Sequence, residues 1–430
     1  MSSICKCGKE HKSSVKEVIT KPGAVNALPD ILRRFNSQKP FILADVNTYD
    51  AAGDTVCKIL ADSGIEFSKY IFKNSHIEPD ENSVGSAVMH YDSGCDLIIG
   101  IGSGVINDIG KILSTMAKKP YVIVATAPSM DGYASATSSM AVDGLKVSLN
   151  TRCPDVIVGD IDILKNAPIR MIQSGLGDML AKYISICEWR IAHLLIGEYY
   201  CEYVANLVRE SLKKCVDNAD GVLKRDANAV KAVFDGLVTC GMAMEYAGLS
   251  RPASGVEHYI SHIWDMRGLA FGTSTDLHGI QCGIATLIAA KVYEQVKETV
   301  PNRERALEYV KNFDSEKWNE SLLKFVGPGA QSMIALEKIE NKYSVSKHKS
   351  RLETIIADWD KILKIIGEEV IPSKDVEKIL DAIGAPKSCT EIGIDKETLP
   401  MTFKASKDIR DKYVLSRLCW DLGILDGIKY

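Results

Sequence analysis

No run of the 430 residues approaches the ~18 uninterrupted apolar residues that a membrane-spanning helix needs. The opening segment MSSICKCGKEHKSS lacks the apolar core of a secretory signal, so the chain is expected to act in the cytoplasm. Neither sign of charge dominates. There are 52 Lys and Arg against 56 Asp and Glu, a formal net charge of −4, which supplies no field for nucleic acid or an anionic membrane as the main partner. Anionic small molecules stay open, because a few basic side chains or backbone N–H groups suffice for them. Internal repeats and low-complexity tracts are absent, and only eight residues are histidine. The twelve cysteines do not form two separated pairs of the usual zinc pattern. Cys5, Cys7 and His11 make a C-x-C-G-x-x-H cluster, but no fourth ligand is evident and the segment reads as a flexible, unliganded tail. Cys187, Cys201, Cys240 and Cys282 lie in apolar surroundings and read as small buried hydrophobes in a reducing compartment.

What is present is an ordinary globular composition, 46% hydrophobic and 25% charged, in a chain long enough for two domains. Residues 15–165 alternate short β-rich blocks with amphipathic helical stretches. Strands are expected at 40–45, 70–73, 96–102, 121–126 and 155–160, with helices such as 51–63 and 105–117 between them. Apolar strands joined by helical crossovers imply a mostly parallel sheet covered on both faces. From about residue 166 strand-like runs nearly vanish, and helical periodicity covers 177–193, 198–217, 227–246, 254–264, 280–300, 303–313 and 351–366. The expected architecture is an α/β, Rossmann-like domain over residues 1–165, followed by an all-α domain over 166–430. Residues 327–350, rich in Lys and small side chains, read as a mobile excursion.

Chemistry-bearing residues concentrate in a few stretches. Residues 254–279 hold His258, His262 and His278, three of the eight histidines. His258 and His262 are four apart, so a helix projects both rings from one face, and imidazole is the commonest ligand for a divalent transition metal. Asp178, at the start of a strongly helical segment, is either a simple N-cap or a carboxylate that completes a site with His258 and His278. One Asp and two neutral His leave a divalent ion a net +1 charge and open positions for substrate oxygens. Upstream, Gly100-Ile-Gly-Ser-Gly-Val-Ile-Asn-Asp follows a strand and opens a helix, where close backbone approach and unpaired N–H groups suit a pyrophosphate. The spacing is neither G-x-G-x-x-G nor a P-loop. Asp45 ends the first strand, where a carboxylate meets an adenosine ribose or merely caps a turn. Thr126 to Ser135, TAPSMDGYAS, lies beyond the end of another strand, where ligands of open α/β sheets gather.

Together and in this order, these motifs resemble the iron-containing alcohol dehydrogenase superfamily, which includes glycerol dehydrogenase and dehydroquinate synthase. Within it, APSMDGYAS, SRPASGVEHYISH and LHGIQCG are similar to the glycerol-1-phosphate dehydrogenases, most closely their bacterial arabinose-operon branch, which tends to carry the same N-terminal C-x-C-G-x-x-H. The resemblance runs from about residue 21 to 292. It implies metal ligands at Asp178, His258 and His278, and substrate contacts at Asp131, His262 and Asp178. It implies cofactor contacts at Gly104, Val105, Ile106, Asn107, Asp108, Thr126, Ala127, Pro128, Ser129 and Ser135, with Asp45 at the adenosine end. The cofactors implied are NAD or NADP and one divalent metal ion, zinc, nickel or iron. The reaction implied is reversible reduction of a small phosphorylated triose, dihydroxyacetone phosphate, by a homodimer. Two features depart from the wider superfamily. Lys182 stands where iron-dependent members usually have a second histidine four residues after the Asp, and the glycine loop reads GIGSG rather than GGG. A glycerol or polyol dehydrogenase is the alternative activity, and a carbocycle-forming enzyme of the dehydroquinate synthase type a more distant one. For the substrate phosphate, Arg251 ranks first among the basic candidates, with Lys146 and Lys182 beside it.

Overall fold

A computed structural model describes residues 4–142 and 145–430, with the side chains of residues 145 and 146 outside the description. The described strands are β1 (Glu17–Lys21), β2 (Pro40–Asp45), β3 (Ser68–Phe72), β4 (Leu97–Gly102), β5 (Tyr121–Ala125), β6 (Thr137–Val142), β7 (Leu145–Asn150) and β8 (Val156–Asp160). Six of them form one sheet in the order β1-β8-β5-β4-β2-β3, with every neighbouring pair parallel, and β6 and β7 form a separate antiparallel hairpin. The four inner strands β2, β4, β5 and β8 are buried along their whole length. That is why each reads as a continuous apolar block rather than an alternating one. The edge strands β1 and β3 are partly exposed. β1, EVITK, and the hairpin, whose strands mix Ser, Thr and Lys with apolar residues, are additions to the expected set of strands.

The connections are helices, with α1 (Leu28–Arg34) and α2 (Asp54–Asp62) on one face of the sheet. Alternate strand residues Ile42, Ala44, Leu97, Ile99, Ile101, Val122, Val124, Val156 and Val158 join Leu28, Ile31, Leu32, Val56 and Leu60 in one buried cluster. The helix α3 (Glu81–His90) leads into β4, and α4 (Gly104–Ala117) joins β4 to β5. On the face of α4, the ring of Tyr121 is wedged between two glycines. A Cβ added at Gly100 or at Gly110 would stand 2.4 Å from its hydroxyl oxygen. Burial raises the Tyr121 phenol well above its ordinary pKa, and its hydroxyl has no hydrogen-bond partner.

Five further helices matter below: α5 (Ile169–Leu180), α6 (Lys182–Ile196), α7 (Ala227–Ala247), α8 (Val256–Phe271) and α9 (His278–Lys297). The chain forms two compact units, and neither is a continuous stretch. One comprises residues up to Met179 with Glu210–Gly248, the other Leu180–Arg209 with Leu249–Tyr430. A single cut near residue 165 therefore differs from the observed division. α7 belongs with the sheet because Phe234 packs over Gly159 of β8, where a Cβ would come within 2.2 Å of its ring, and edge-on to Tyr133 at 5.4 Å. In the second unit every described element is helical. The expected mobile excursion at 327–350 is instead largely two helices, α10 (Ala330–Glu340) and α11 (Val345–Ala357). Ala330 and Met333 are buried with Ile263, Leu322 and Val326, and His348 is buried with Nε2 2.9 Å from the Asp421 carbonyl. No described helix is long and apolar enough to cross a membrane.

The Tyr121 wedge gives a signed prediction. Alanine in place of a mid-helix glycine normally stabilises by up to about 1 kcal/mol. At Gly110 the new methyl would meet a ring held from the other side by Gly100, an overpacking that costs about 1–3 kcal/mol. Gly110→Ala is therefore expected to lower the urea midpoint, while Tyr121→Phe, which removes a buried unpartnered hydroxyl, leaves it equal or higher. A higher midpoint for Gly110→Ala would contradict the packing described.

Candidate active site

In the first unit, strand order fixes where a ligand of the sheet would sit. β2 leads outward to β3, whereas β4 leads the other way to β5, so the crossovers diverge at the carboxyl ends of β2 and β4. Asp45 ends β2 and Gly102 ends β4. Asp45 is nearly buried, and its Oδ1 accepts from the backbone N–H groups of Asn47 and Thr48 at 2.8 and 2.9 Å. It is thus a turn cap, one of the two roles open to it in the sequence. Gly104, Val105 and Ile106 form the first turn of α4, and no side chain caps that end. The glycines of the loop divide the work. Gly100 makes room for Tyr121 and Gly102 for Ile106, whose Cβ would be 2.5 Å away, whereas a Cβ on Gly104 would meet only the flexible end of Met130 at 3.4 Å. None of the three has a positive φ. An uncapped helix end whose Gly104 has only a methionine side chain at ordinary contact distance fits a dinucleotide phosphate.

The Thr126 to Ser135 stretch is tied down from several sides. Ser129 Oγ is 2.6 Å from Ser103 Oγ, Ser174 Oγ donates to the Ser129 carbonyl at 2.8 Å, and the buried Tyr133 hydroxyl donates to the Ala127 carbonyl at 2.7 Å. A Cβ on Gly175 of α5 would lie 1.9 Å from the Pro128 carbonyl oxygen, so only glycine lets this helix approach the loop. Thr126, Ala127, Pro128 and Ser129 are buried, while Ser135 is half-buried with Oγ 3.0 Å from Thr137 Oγ1. Asn107 Nδ2 and Lys111 Nζ both donate to the Gly132 carbonyl, at 3.1 and 3.4 Å. Asp108 pairs with the buried Lys111 at 2.9 Å and accepts from the Ser139 N–H at 3.3 Å, which anchors the hairpin. Asp131 is half-buried, and its backbone N–H donates to Asp178 Oδ2 at 2.9 Å. Asp178 is fully buried on α5, two residues from the end of that helix. The structure thus brings Asp131 and Asp178 together, and it engages Asp108 with Lys111 rather than leaving it open.

The second unit holds the histidines. His258 and His262 lie on α8, and His278 is the first residue of α9. The His258 ring centroid is 5.0 Å from that of His278, and the His262 ring stacks on His278 at 5.9 Å. The ring nitrogens have directed partners. Glu257 Oε1, fully buried, lies 2.7 Å from His258 Nδ1 and also accepts from the Gly255 N–H at 2.6 Å. Ser261 Oγ lies 3.3 Å from His278 Nδ1 and accepts from Gln281 Nε2 at 3.0 Å. With Nδ1 of His258 facing the Glu257 carboxylate, its Nε2 is left to carry the lone pair, the arrangement a metal-ligating histidine needs, and the Ser261 hydroxyl lies beside the corresponding Nδ1 of His278. One donor atom each from His258, His278 and Cys282 lies within 4.8 Å of the others.

Cys282 departs from the apolar surroundings expected for it. It is buried, as expected, but among imidazoles, with Sγ 3.6 Å from His278 Nε2. Burial pushes its thiol up, and the His258 and His278 rings outweigh that, leaving a net downward shift. The spacing from His278, four residues along one helix, was the available signal. Glu257 carried none, because an adjacent residue on a helix does not ordinarily face its neighbour. Behind it, Glu188 accepts from the Val256 and Leu415 N–H groups at 3.0 and 2.8 Å, and burial followed by the Glu257 charge pushes it up to about 8.

The basic candidates for phosphate fare differently from expectation. Arg251 is buried and bidentate to Glu198, at 2.7 and 2.6 Å, and donates to the Tyr413 carbonyl at 2.8 Å. Lys182 is buried, with Nζ donating to the Ala253 carbonyl at 2.9 Å. Both are spent on holding the segment before α8, and the Lys146 side chain lies outside the described residues.

The family described as iron-containing alcohol dehydrogenase matches residues 19–168. Glycerol-1-phosphate dehydrogenase (NAD(P)+) of Halalkalibacterium halodurans is 30% identical over 373 residues, covering 82% of this chain and 94% of that one. The protein of the same name from Bacillus licheniformis is 28% identical over 428 residues, covering 99% and 94%. Among solved structures, glycerol dehydrogenase from Schizosaccharomyces pombe superposes with a TM-score of 0.62 at 17% identity, covering 96% of this chain and 90% of that one. That last likeness concerns the fold.

Glu257 offers a test of the histidine arrangement. Partners that orient ligating imidazoles are worth roughly 10–100-fold in metal affinity. Glu257→Gln is expected to weaken binding of a divalent metal by about that factor in calorimetric titration, with far-UV circular dichroism unchanged. Equal affinity would show that the Glu257 contact does not prepare His258.

Proposed function

Since the chain belongs to the glycerol-1-phosphate dehydrogenases, we propose that it interconverts dihydroxyacetone phosphate and sn-glycerol 1-phosphate with NAD(P) and one divalent metal ion. In the reducing direction, dihydroxyacetone phosphate, NAD(P)H and a proton give sn-glycerol 1-phosphate and NAD(P)+. The observation that carries the reading is the pairing of the His258 and His278 rings 5.0 Å apart, with the Glu257 carboxylate at Nδ1 of His258 and the Ser261 hydroxyl at Nδ1 of His278. In this reading Asp178, His258 and His278 hold the ion, which suits zinc, nickel or iron. Cys282 Sγ, already beside His278 Nε2, lines the same donor set. When bound, the ion supplies Lewis acidity at the substrate carbonyl and the reduced dinucleotide supplies the hydride.

The chain's own residues do the rest. Gly104, Val105 and Ile106 at the start of α4 receive the cofactor pyrophosphate, and Thr126 to Ser129 with Ser135 line its nicotinamide side. Asn107 and Asp108 act from behind, holding α4 to the Gly132 turn and the hairpin. Asp131 takes the substrate hydroxyls and fixes which carbonyl face is presented, while its own N–H steadies Asp178. His262, half-buried beside His278, moves the proton at its ring nitrogen to the nascent hydroxyl. With Arg251 and Lys182 engaged elsewhere, the substrate phosphate draws on other donors. A homodimer acting in the cytoplasm and serving phospholipid synthesis completes the reading, on family resemblance.

Asp178→Asn keeps shape and removes charge. It is expected to lower bound metal and kcat together, by more than the roughly 100-fold that outer partners alone can cost. Unchanged turnover of the variant in chelator-treated buffer would remove Asp178 from the ligand set. Wild-type kcat/KM for sn-glycerol 1-phosphate is expected to exceed that for glycerol, and the reverse order would make the enzyme a polyol dehydrogenase.

A further inference from the structure

The N-terminal segment stands outside everything above. It was expected to be a flexible tail, yet it is folded onto the carboxyl end of α7. Lys9 Nζ donates to the Ala247 carbonyl at 2.9 Å, and His11 Nδ1 faces the Tyr246 carbonyl at 3.2 Å. Ser13 Oγ and the Ser14 N–H donate to the two oxygens of Glu245, at 2.8 and 2.9 Å. The last carbonyls of a helix have no intrahelical donor, so a lysine and a histidine are suitable partners for them.

This docking has no apolar basis. None of residues 4–14 is buried, and Ile4 is 73% exposed. A short segment without a core needs another source of order, and a metal ion is one. The donors for it are assembled. The Cys5 N–H donates to the Lys9 carbonyl at 3.0 Å, the Gly8 N–H to the Cys5 carbonyl at 2.8 Å, and Gly8 takes φ +86°, which favours glycine. That turn gathers one donor atom each of Cys5, Cys7 and His11 within 4.8 Å of one another. Cys7 Sγ is 3.4 Å from His11 Nε2. The Tyr246 carbonyl accepts the Nδ1 proton and leaves Nε2 to face the sulfur, the outer-partner arrangement that orients a ligating imidazole.

We propose that Cys5, Cys7 and His11 bind a zinc ion that fastens the N-terminal segment to the end of α7. Two thiolates and an imidazole are a zinc donor set, filling three of four tetrahedral positions, with a further thiol or water for the fourth. The inference uses different residues from the dehydrogenase reading and does not depend on it.

The test reads metal and thiols rather than turnover. Untagged wild-type protein, purified without chelator and saturated with zinc, is expected to hold one more equivalent of zinc than Cys5→Ser/Cys7→Ser. Peptide-resolved iodoacetamide labelling of the wild type is expected to show Cys5 and Cys7 protected with zinc, and labelled about tenfold faster or more once a chelator removes it. The same labelling across all twelve cysteines reports whether a thiol fills the fourth position. Equal zinc in wild type and variant, or labelling that chelator leaves unchanged, would overturn the site. Cysteines that resist labelling until a reductant is added would show a disulfide instead and overturn it equally. If the variant is insoluble, the wild-type labelling decides.

Discussion

A neutral imidazole has two nitrogens and one ring proton, so whatever accepts that proton decides which nitrogen can act as a ligand. Much of the second unit is arranged around this choice at His258 and His278. Glu257 is fully buried where its carboxylate can take the His258 Nδ1 proton, and a second buried acid, Glu188, accepts the neighbouring Val256 N–H. Burying two carboxylates together is costly, which is why Glu188 is pushed up to about 8. Arg251, Lys182 and Lys412 hold the segment leading into α8 through buried or partly buried contacts to Glu198 and to the carbonyls of Tyr413, Ala253 and Ser254. These side chains serve the histidines by fixing where their helix begins.

In the first unit the corresponding constraint is close approach. Tyr121 sits between Gly100 and Gly110, Phe234 over Gly159, and the Pro128 carbonyl against Gly175. Each contact leaves no space for a methyl group. Together they set the depth of the loops that follow β4 and β5, and hence where Gly104, Asp131 and Asp178 stand. A glycine-rich loop is thus partly a packing device, and of its three glycines only Gly104, at the uncapped end of α4, would take a Cβ without a clash.

What was legible in the sequence follows from how local each cause is. The inner strands could be read because burial on both faces makes every residue apolar. β1 could not, because EVITK begins with Glu and ends with Lys and has no buried residue, whereas the other edge strand, β3, carries the aromatic and branched run YIF. The histidines and Asp178 stood out through spacing and motif order. Arg251 was misassigned to phosphate because its partners, Glu198 and Tyr413, lie 53 and 162 residues away in sequence. Cys282 reads as a plain hydrophobe because its apolar sequence neighbours indicate burial but not the two rings beside it. The tail reads as loose because it has no apolar run to bury, and its contacts are with carbonyls at the end of α7, more than 230 residues on.

The most direct measurement is the configuration of the product formed from dihydroxyacetone phosphate and NADH or NADPH by chelator-stripped protein, before and after a divalent metal is restored. The proposed metal-dependent reaction predicts no product without metal and sn-glycerol 1-phosphate alone once metal is returned. Formation of the sn-3 isomer, or metal-independent turnover, would contradict it.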